Sequence, residues 1–332
     1  MNRILRWLRP CTPSPPPTAR AEEGEQARVS ALWGQMAAEM RGECPALPGV
    51  WTSHPVVRGA MNRRLTGRPE MEWTAWVKEQ FFPDGVGRVL SLGCGAGHLE
   101  REAMRLGLGR EIEGVDVSEG AIEVARARAE AAGLHGLSYR VADLNHLELP
   151  VGHYDLVVIK QALHHLDQLE HVLDQVRRCL RPDGWFVLNE FVGPTRFQWT
   201  EAQLEAINRL LLMLPTSLRQ VGEQVRERVA RVPPEQIAAH DPSEAVRSSE
   251  IMPLLAERFE VIARRNFGGT ILNPLLEGII ANFEPADEMA SALLRLLCEV
   301  EDLLLDTGAI PSDFVLLVTR PLGDRSPVRA PG

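Results

Sequence analysis

The sequence predicts an α/β fold, a parallel sheet with helices on both faces, and three observations carry that reading. Short apolar runs alternate with amphipathic stretches from Arg88 onward. The first of these runs ends in closely spaced glycines that open into a helix. The length of 332 residues, 45% apolar and 24% charged, allows one large domain or two small ones and excludes disordered and fibrous classes.

Taken in order, Pro10 to Thr18 is too rich in proline to join a packed element and reads as a linker or loose tail. A helix follows from Glu22 to about Glu43, with Val29, Leu32, Trp33, Met36 and Met40 at three-to-four spacing. Trp51 to Arg64 has no clear period, and a second helix runs from Glu70 to Phe82. Strands then read at Val89–Leu92, Ile112–Val115, Ser138–Ala142, Leu156–Lys160 and Trp185–Phe191, with helices at Gly97–Leu106, Glu119–Ala132 and Leu166–Leu180. After Pro194 the rhythm breaks: Trp199 to Arg231 reads as helical, with Leu204, Ile207, Leu210, Leu211 and Leu214 on one stripe. Helix Ser249–Glu257 and strand Glu260–Arg264 resume the alternation, a mostly helical stretch spans Ile271 to Leu305, and a last strand lies at Phe314–Thr319. The expected organisation is an N-terminal tail and helical cap (1–82), a core of five strands (83–194), a helical cap insertion (195–246), a sixth strand unit (247–269), a helical insertion (270–311), a seventh strand (312–321) and a tail (322–332).

Composition narrows the function. No apolar run reaches the roughly 18 residues of a membrane span, and the arginine-studded start has no signal-peptide core. Five cysteines without a C-x-x-C pair predict reduced thiols in a cytoplasm, not a disulfide framework or a cysteine-rich zinc site. Net charge is −9, while residues 1–80 are slightly basic, and no basic stripe marks a nucleic-acid face. Oligomeric state is not legible.

The strongest motif is Val89-Leu-Ser-Leu-Gly93-Cys-Gly95-Ala-Gly97-His-Leu. Glycines there let the chain turn sharply and let a ligand approach the backbone, and the helix behind offers free N–H groups. A dinucleotide fingerprint would need a glycine at His98, so a nicotinamide-dependent dehydrogenase is disfavoured. Asp116 ends the second strand, where a carboxylate can accept from both hydroxyls of a ribose, and Asp143 ends the third in the same way. Tyr154 to Ile159 then leads into Lys160-Gln-Ala-Leu-His-His-Leu166.

In these residues the chain resembles the class I S-adenosylmethionine-dependent methyltransferases of the broad small-molecule type, well over 86–194 and weakly at 247–269 and 312–321. The resemblance implies a Rossmann-like, mostly parallel seven-stranded sheet whose last strand is inserted antiparallel, and S-adenosyl-L-methionine as cofactor. It places the backbone of Gly93, Gly95 and Gly97 against the methionine moiety, Asp116 on the ribose, Val117 against the adenine, and Asp143 with the backbone of Leu144 on the adenine edge. One position departs from the family: the acid two residues before the first glycine is Ser91.

The implied reaction moves a methyl group to an oxygen, or a carbon, of a small-molecule acceptor. Alignment and exclusion of water carry much of such a rate, and a hydroxyl acceptor also needs a base. By topology the acceptor borders the carboxyl ends of strands four and five, at Lys160 (also assigned to the cofactor), Gln161, His164, His165, Asn189 and Glu190. Glu190 follows an apolar strand and is expected as the base, with His164 as the alternative; a salt bridge from Glu190 to Arg196 is the competing structural role. No metal is expected, because neighbouring histidines diverge on a helix and no third-ligand motif accompanies them. The competing function is a non-catalytic S-adenosylmethionine-binding scaffold or regulatory protein.

Overall fold

The computed structural model describes residues 21–39 and 49–323. The proline-rich segment, Cys11, Cys44, the end of the first expected helix and the tail beyond 323 lie outside the described residues.

The first half of the sheet forms where the apolar runs predict it. Strands β1 (Val86–Leu92), β2 (Gly109–Asp116), β3 (Leu137–Val141), β4 (Tyr154–Lys160) and β5 (Leu180–Phe191) pair in parallel. A two-stranded hairpin, β6 (Gln220–Val221) and β7 (Gln224–Val225), stands apart from the sheet. Strands β8 (Phe259–Gly268) and β9 (Phe314–Pro321) complete an order of β3-β2-β1-β4-β5-β9-β8, with β9 antiparallel to both neighbours. This is the seven-stranded, mostly parallel Rossmann-like sheet that the resemblance implies. The order reverses direction between β1 and β4, so the loops after these strands diverge and open a crevice at their carboxyl ends.

Both faces of the sheet are covered because both faces of its strands are apolar. In β4, Leu156 and Val158 enter one core while Val157 and Ile159 enter the other. Helices follow in chain order: α1 (Ala21–Glu39), α2 (Pro55–Thr66), α3 (Trp73–Phe81), α4 (His98–Arg105), α5 (Glu119–Ala131), α6 (Leu169–Cys179), α7 (Glu201–Met213), α8 (Pro234–His240), α9 (Ile251–Ala256), α10 (Leu272–Leu276) and α11 (Glu288–Asp306). The larger core gathers residues of α2, α3, α7, α10 and α11; the smaller joins α6 and α9 to the other face.

Three stretches differ from the sequence reading. The segment without a period holds α2, which is set by its ends: His54 accepts from the Val56 N–H, Pro55 occupies the first turn, and Gly67 closes it at φ 82°. The helix expected to Arg231 stops at Met213, because Pro215 and then Gly222 (φ 61°) turn the chain into the hairpin. The long helical stretch from Ile271 is broken into α10 and α11 around Gly278 (φ 72°) and Pro285.

Helix α1 is fixed over the crevice rather than trailing from it. Ser30 Oγ donates to the Val117 carbonyl at 3.2 Å, and Ser118 Oγ donates back to the Ser30 carbonyl at 3.0 Å. Gly34 and Gly120 let the two helices touch: a Cβ on Gly120 would lie 3.3 Å from the Gly34 Cα.

Strand β8 pairs only with β9, and β9 reaches the rest of the sheet only through β5. A fragment of residues 195–332 is therefore expected to lack a cooperative unfolding transition by circular dichroism, since its sheet edge has lost its template. A sharp two-state transition in that fragment would contradict the interleaving.

Candidate active site

One cavity of about 900 Å³ opens at the carboxyl ends of β1, β2 and β4. Such a volume falls in the range of small-molecule sites. Its donor half is built by the glycine loop. Gly93 (φ 69°) turns the chain off β1, and a Cβ there would overlap the Ala162 methyl. Gly95 (φ 49°) faces open space, so its missing side chain leaves backbone accessible in the cavity wall. Gly97 (φ 73°) does not border the cavity. A Cβ on it would press to 2.7 Å from the Tyr139 hydroxyl and 2.8 Å from the Ala125 methyl, so the third glycine allows close packing against β3 and α5.

Asp116 locks this loop to β2. One carboxylate oxygen accepts from the Gly95 N–H at 2.8 Å and the other from the Ser118 N–H at 2.9 Å. Burial raises its pKa, against the hydrogen bonds from Ser118, Gly95 and Val117 that favour the charge. The carboxylate borders the cavity and keeps further lone pairs for a diol. Val117, Asp143 and Leu144 line the same half; Asp143 holds its own turn by accepting from the Asn145 N–H at 2.9 Å. Lys160, at the end of β4, borders the cavity, and burial lowers its pKa against the charges of Glu102, Glu72 and Glu100. The site thus offers accessible loop backbone, a buried acid at the end of β2 and an acid-ended turn at β3, a donor set that fits a nucleoside bearing an amino-acid tail.

The acceptor half differs from the sequence reading. Glu190 is fully buried and does not reach the cavity. Its carboxylate accepts from the backbone N–H groups of Ala162, Leu163 and Phe191 at 2.8–3.0 Å and pairs with His164 Nδ1. Arg196 is not its partner: that guanidinium donates to the carbonyls of Pro242 and Glu244 at 2.6 and 2.8 Å.

His164 sits between two carboxylates, with Glu190 on Nδ1 and Glu244 3.7 Å from Nε2. Burial alone would lower its pKa, but the charge and hydrogen bond of Glu190, then Glu244 and Asp241, raise it overall. His164 is absent from the cavity wall, whereas His165 belongs to it. Burial lowers the pKa of His165, and the neighbouring His164 lowers it further. The two rings lie 4.2 Å apart because Leu163–His165 is a single 3-10 turn and not an α-helix. His164, His165 and Glu244 consequently bring one ligand atom each within 4.8 Å, a convergence that local sequence spacing does not reveal.

A relay orients His165. Ser243 Oγ donates to Asp241 Oδ1 at 2.6 Å, so its oxygen is left to accept from His165 Nδ1 at 3.1 Å. That tautomer, assigned from the network, leaves Nε2 with its lone pair. Trp33 of α1 meets the ring edge-on at 5.1 Å. Sequence reasoning missed Pro242, Ser243 and Val246 as wall residues, since an irregular segment far along the chain carries no period. Among the described residues, the non-glycine positions with positive φ are Gln161, Arg196, Phe197 and Ala245; Gln161 and Arg196 line this half, and strained backbone of this kind concentrates at functional sites.

Residues 90–188 match the family profile described as a methyltransferase domain. The chain is 31% identical over 178 residues to the 27-O-demethylrifamycin SV methyltransferase of Amycolatopsis mediterranei, covering 52% of this chain and 62% of that one. It is 29% identical over 136 residues to the demethylmenaquinone methyltransferase of Thermus thermophilus, covering 41% and 61%. The chain thus spans less than two thirds of the length of these relatives. The geranyl diphosphate C-methyltransferase of Streptomyces coelicolor A3(2), solved with Mg2+, geranyl diphosphate and S-adenosyl-L-homocysteine, shares the fold at a TM-score of 0.52 and 15% identity, over 90% of this chain and 98% of that one.

Removing the Glu190 carboxylate strands three backbone donors and the His164 ring nitrogen in the core. Glu190→Ala is expected to cost about 3–5 kcal/mol, the range for breaking a buried charge pair. Urea denaturation reads this as a lower midpoint at unchanged slope; a loss below about 1 kcal/mol would contradict the clamp.

Proposed function

We propose, from the premise that residues 90–188 are a methyltransferase domain on a class I S-adenosylmethionine-dependent core, that this protein methylates an oxygen, or a carbon, of a small-molecule acceptor. The observation that carries the reading is the continuous cavity joining Gly95 and Asp116 to His165 and Ser243, so donor and acceptor would share one space. A purely ligand-holding scaffold has no use for the second half of that space.

S-adenosylmethionine, when bound, supplies an electrophilic methyl group on a sulfonium. Asp116 would hold the ribose hydroxyls, Val117 and Leu144 would flank the adenine, Asp143 would read its edge, and the Gly95 backbone would lie along the methionine end. Lys160, which borders the cavity, would lie at that end. The protein aligns the two partners and keeps water out, which α1 assists by roofing the cavity with Val29, Trp33 and Ala37.

For a hydroxyl acceptor the proton goes to His165 Nε2. His165 is chosen over Glu190 and His164 because it alone of the three borders the cavity and its lowered pKa keeps it neutral. Glu190 and His164 are positioning residues: the carboxylate fixes the turn after β4, and His164 lowers the pKa of its neighbour His165. The relatives act, by their names, on demethylrifamycin and demethylmenaquinone. Trp33, Leu166 and Val246 give this cavity apolar walls that suit a ring-bearing, hydroxylated acceptor of that general kind.

Among the described residues no helix is long and apolar enough to cross a membrane, and Cys94, Cys179 and Cys298 are buried free thiols. The free thiols support a cytoplasmic enzyme.

Asp116→Ala is expected to weaken S-adenosylhomocysteine binding about tenfold to a hundredfold, as loss of hydrogen bonds to a charged group worth roughly 1.5–3 kcal/mol predicts. An unchanged calorimetric dissociation constant would refute the placement. His165→Ala is expected to lower methyl turnover on a metabolite pool about 10²–10⁴-fold while donor binding stays within about twofold. The base works only when neutral, and its pKa lies below the ordinary 6.5, so the rate of the wild type should fall with acid only below that pH. An acid limb centred above pH 7 would assign the proton to another group.

A further inference from the structure

The donor half of the cavity contains a carboxylate that nothing so far employs. Glu100 lies on the first turn of α4, three residues past the glycine loop, and is 1% exposed. It borders the cavity beside His98 and Leu99. Neither of its oxygens has a hydrogen-bond partner of ordinary geometry among the described residues. The groups that favour its charged form are the Ser91 hydroxyl, Arg101 and Lys160, and burial, the strongest influence, still pushes its carboxyl up to about 7. Buried acids are as a rule satisfied by the protein itself, as Glu190 is by its backbone donors and as Glu301 is by the N–H groups of Gly269, Ile271 and Leu272. Among the described residues Glu100 and Asp313 are exceptions, and of these two it is Glu100 that borders the cavity.

Its surroundings say what would satisfy it. Ser91, at the end of β1, is buried and uncharged, so the strand itself brings no anion to this end of the loop. Lys160 borders the same cavity, and the charge of Glu100 is among those that hold its ammonium up against burial. A cavity end carrying one acid and one ammonium, both desolvated, presents opposite charges to its contents. That pattern matches a zwitterion, the α-amino and α-carboxylate groups of an amino acid, better than it matches a phosphate or a neutral sugar. We infer that Glu100, supplied by α4, binds the α-ammonium of the donor's amino-acid end and that Lys160 faces its α-carboxylate, the anion having been moved from the strand to the helix. The inference rests on the methyl-donor reading of this cavity and adds its recognition of charge.

Two ligands separate the parts of the account. S-adenosylhomocysteine carries the zwitterion, and 5′-methylthioadenosine carries the same nucleoside without it. By calorimetry on the full chain, Glu100→Gln should weaken S-adenosylhomocysteine at least tenfold and leave methylthioadenosine within about twofold. In Glu100→Ala the same loss is expected, and adding Ser91→Asp, which returns a carboxylate to the strand, should recover most of it. Equal weakening of both ligands, or an unchanged affinity for S-adenosylhomocysteine, would make Glu100 a packing residue and overturn the inference while leaving the nucleoside site intact. Should Glu100→Ala lose affinity and Ser91→Asp restore none of it, the transfer of the anion from strand to helix would be refuted. Failure of the wild type to bind either ligand would instead overturn the methyl-donor reading, and this inference with it.

Discussion

The acceptor half of the site depends on how the Glu190 carboxylate is spent. It ends β5 directly beside the end of β4, where the register sets Lys160 against Asn189. From there it collects the N–H groups of the turn that follows β4 and the imidazole of His164. A turn after a parallel strand leaves its first N–H groups without ladder partners, and inside a core those must be satisfied. One buried acid satisfies two of them and a histidine together. Everything beyond follows: the rings of His164 and His165 are held in one 3-10 turn, Glu244 is drawn toward His164, and Ser243 meets His165.

The donor half follows the opposite logic, openness in place of closure. Gly95 brings no side chain and Asp116 fixes its amide, so the loop is rigid without being filled. The two halves share Gln161 and Ala162, the first residues after β4. Gln161 is held at φ 51° while its side chain bonds Asn189. The strain at that residue is the cost of turning the chain between the two halves.

The fold was legible because its signals are local. Apolar runs, the glycine loop and strand-end acids sit within a few residues of one another, and the donor-side positions Gly93, Gly95, Asp116, Val117, Asp143, Leu144 and Lys160 all border the cavity. The acceptor side was not legible, for a physical reason. Glu190 at the end of an apolar strand reads equally as an exposed base or a buried acceptor, and only the pairing of β4 with β5 decides. The 241–246 segment reaches the cavity through Arg196, which gathers its carbonyls from more than forty residues away, and no periodicity records such a bond. The ends of α2 could have been found, since a proline in the first turn and a glycine after the last are sequence signals.

The central claim is that this cavity is built for a methyl donor. A thermal-shift titration of the intact wild type tests it most directly. At a hundredfold excess over its dissociation constant, S-adenosylhomocysteine should add about 2.7 kcal/mol to the folded state and raise the midpoint by several degrees. NADH at the same concentration should leave it unchanged. An absent shift with S-adenosylhomocysteine, or an equal one with NADH, would contradict the account.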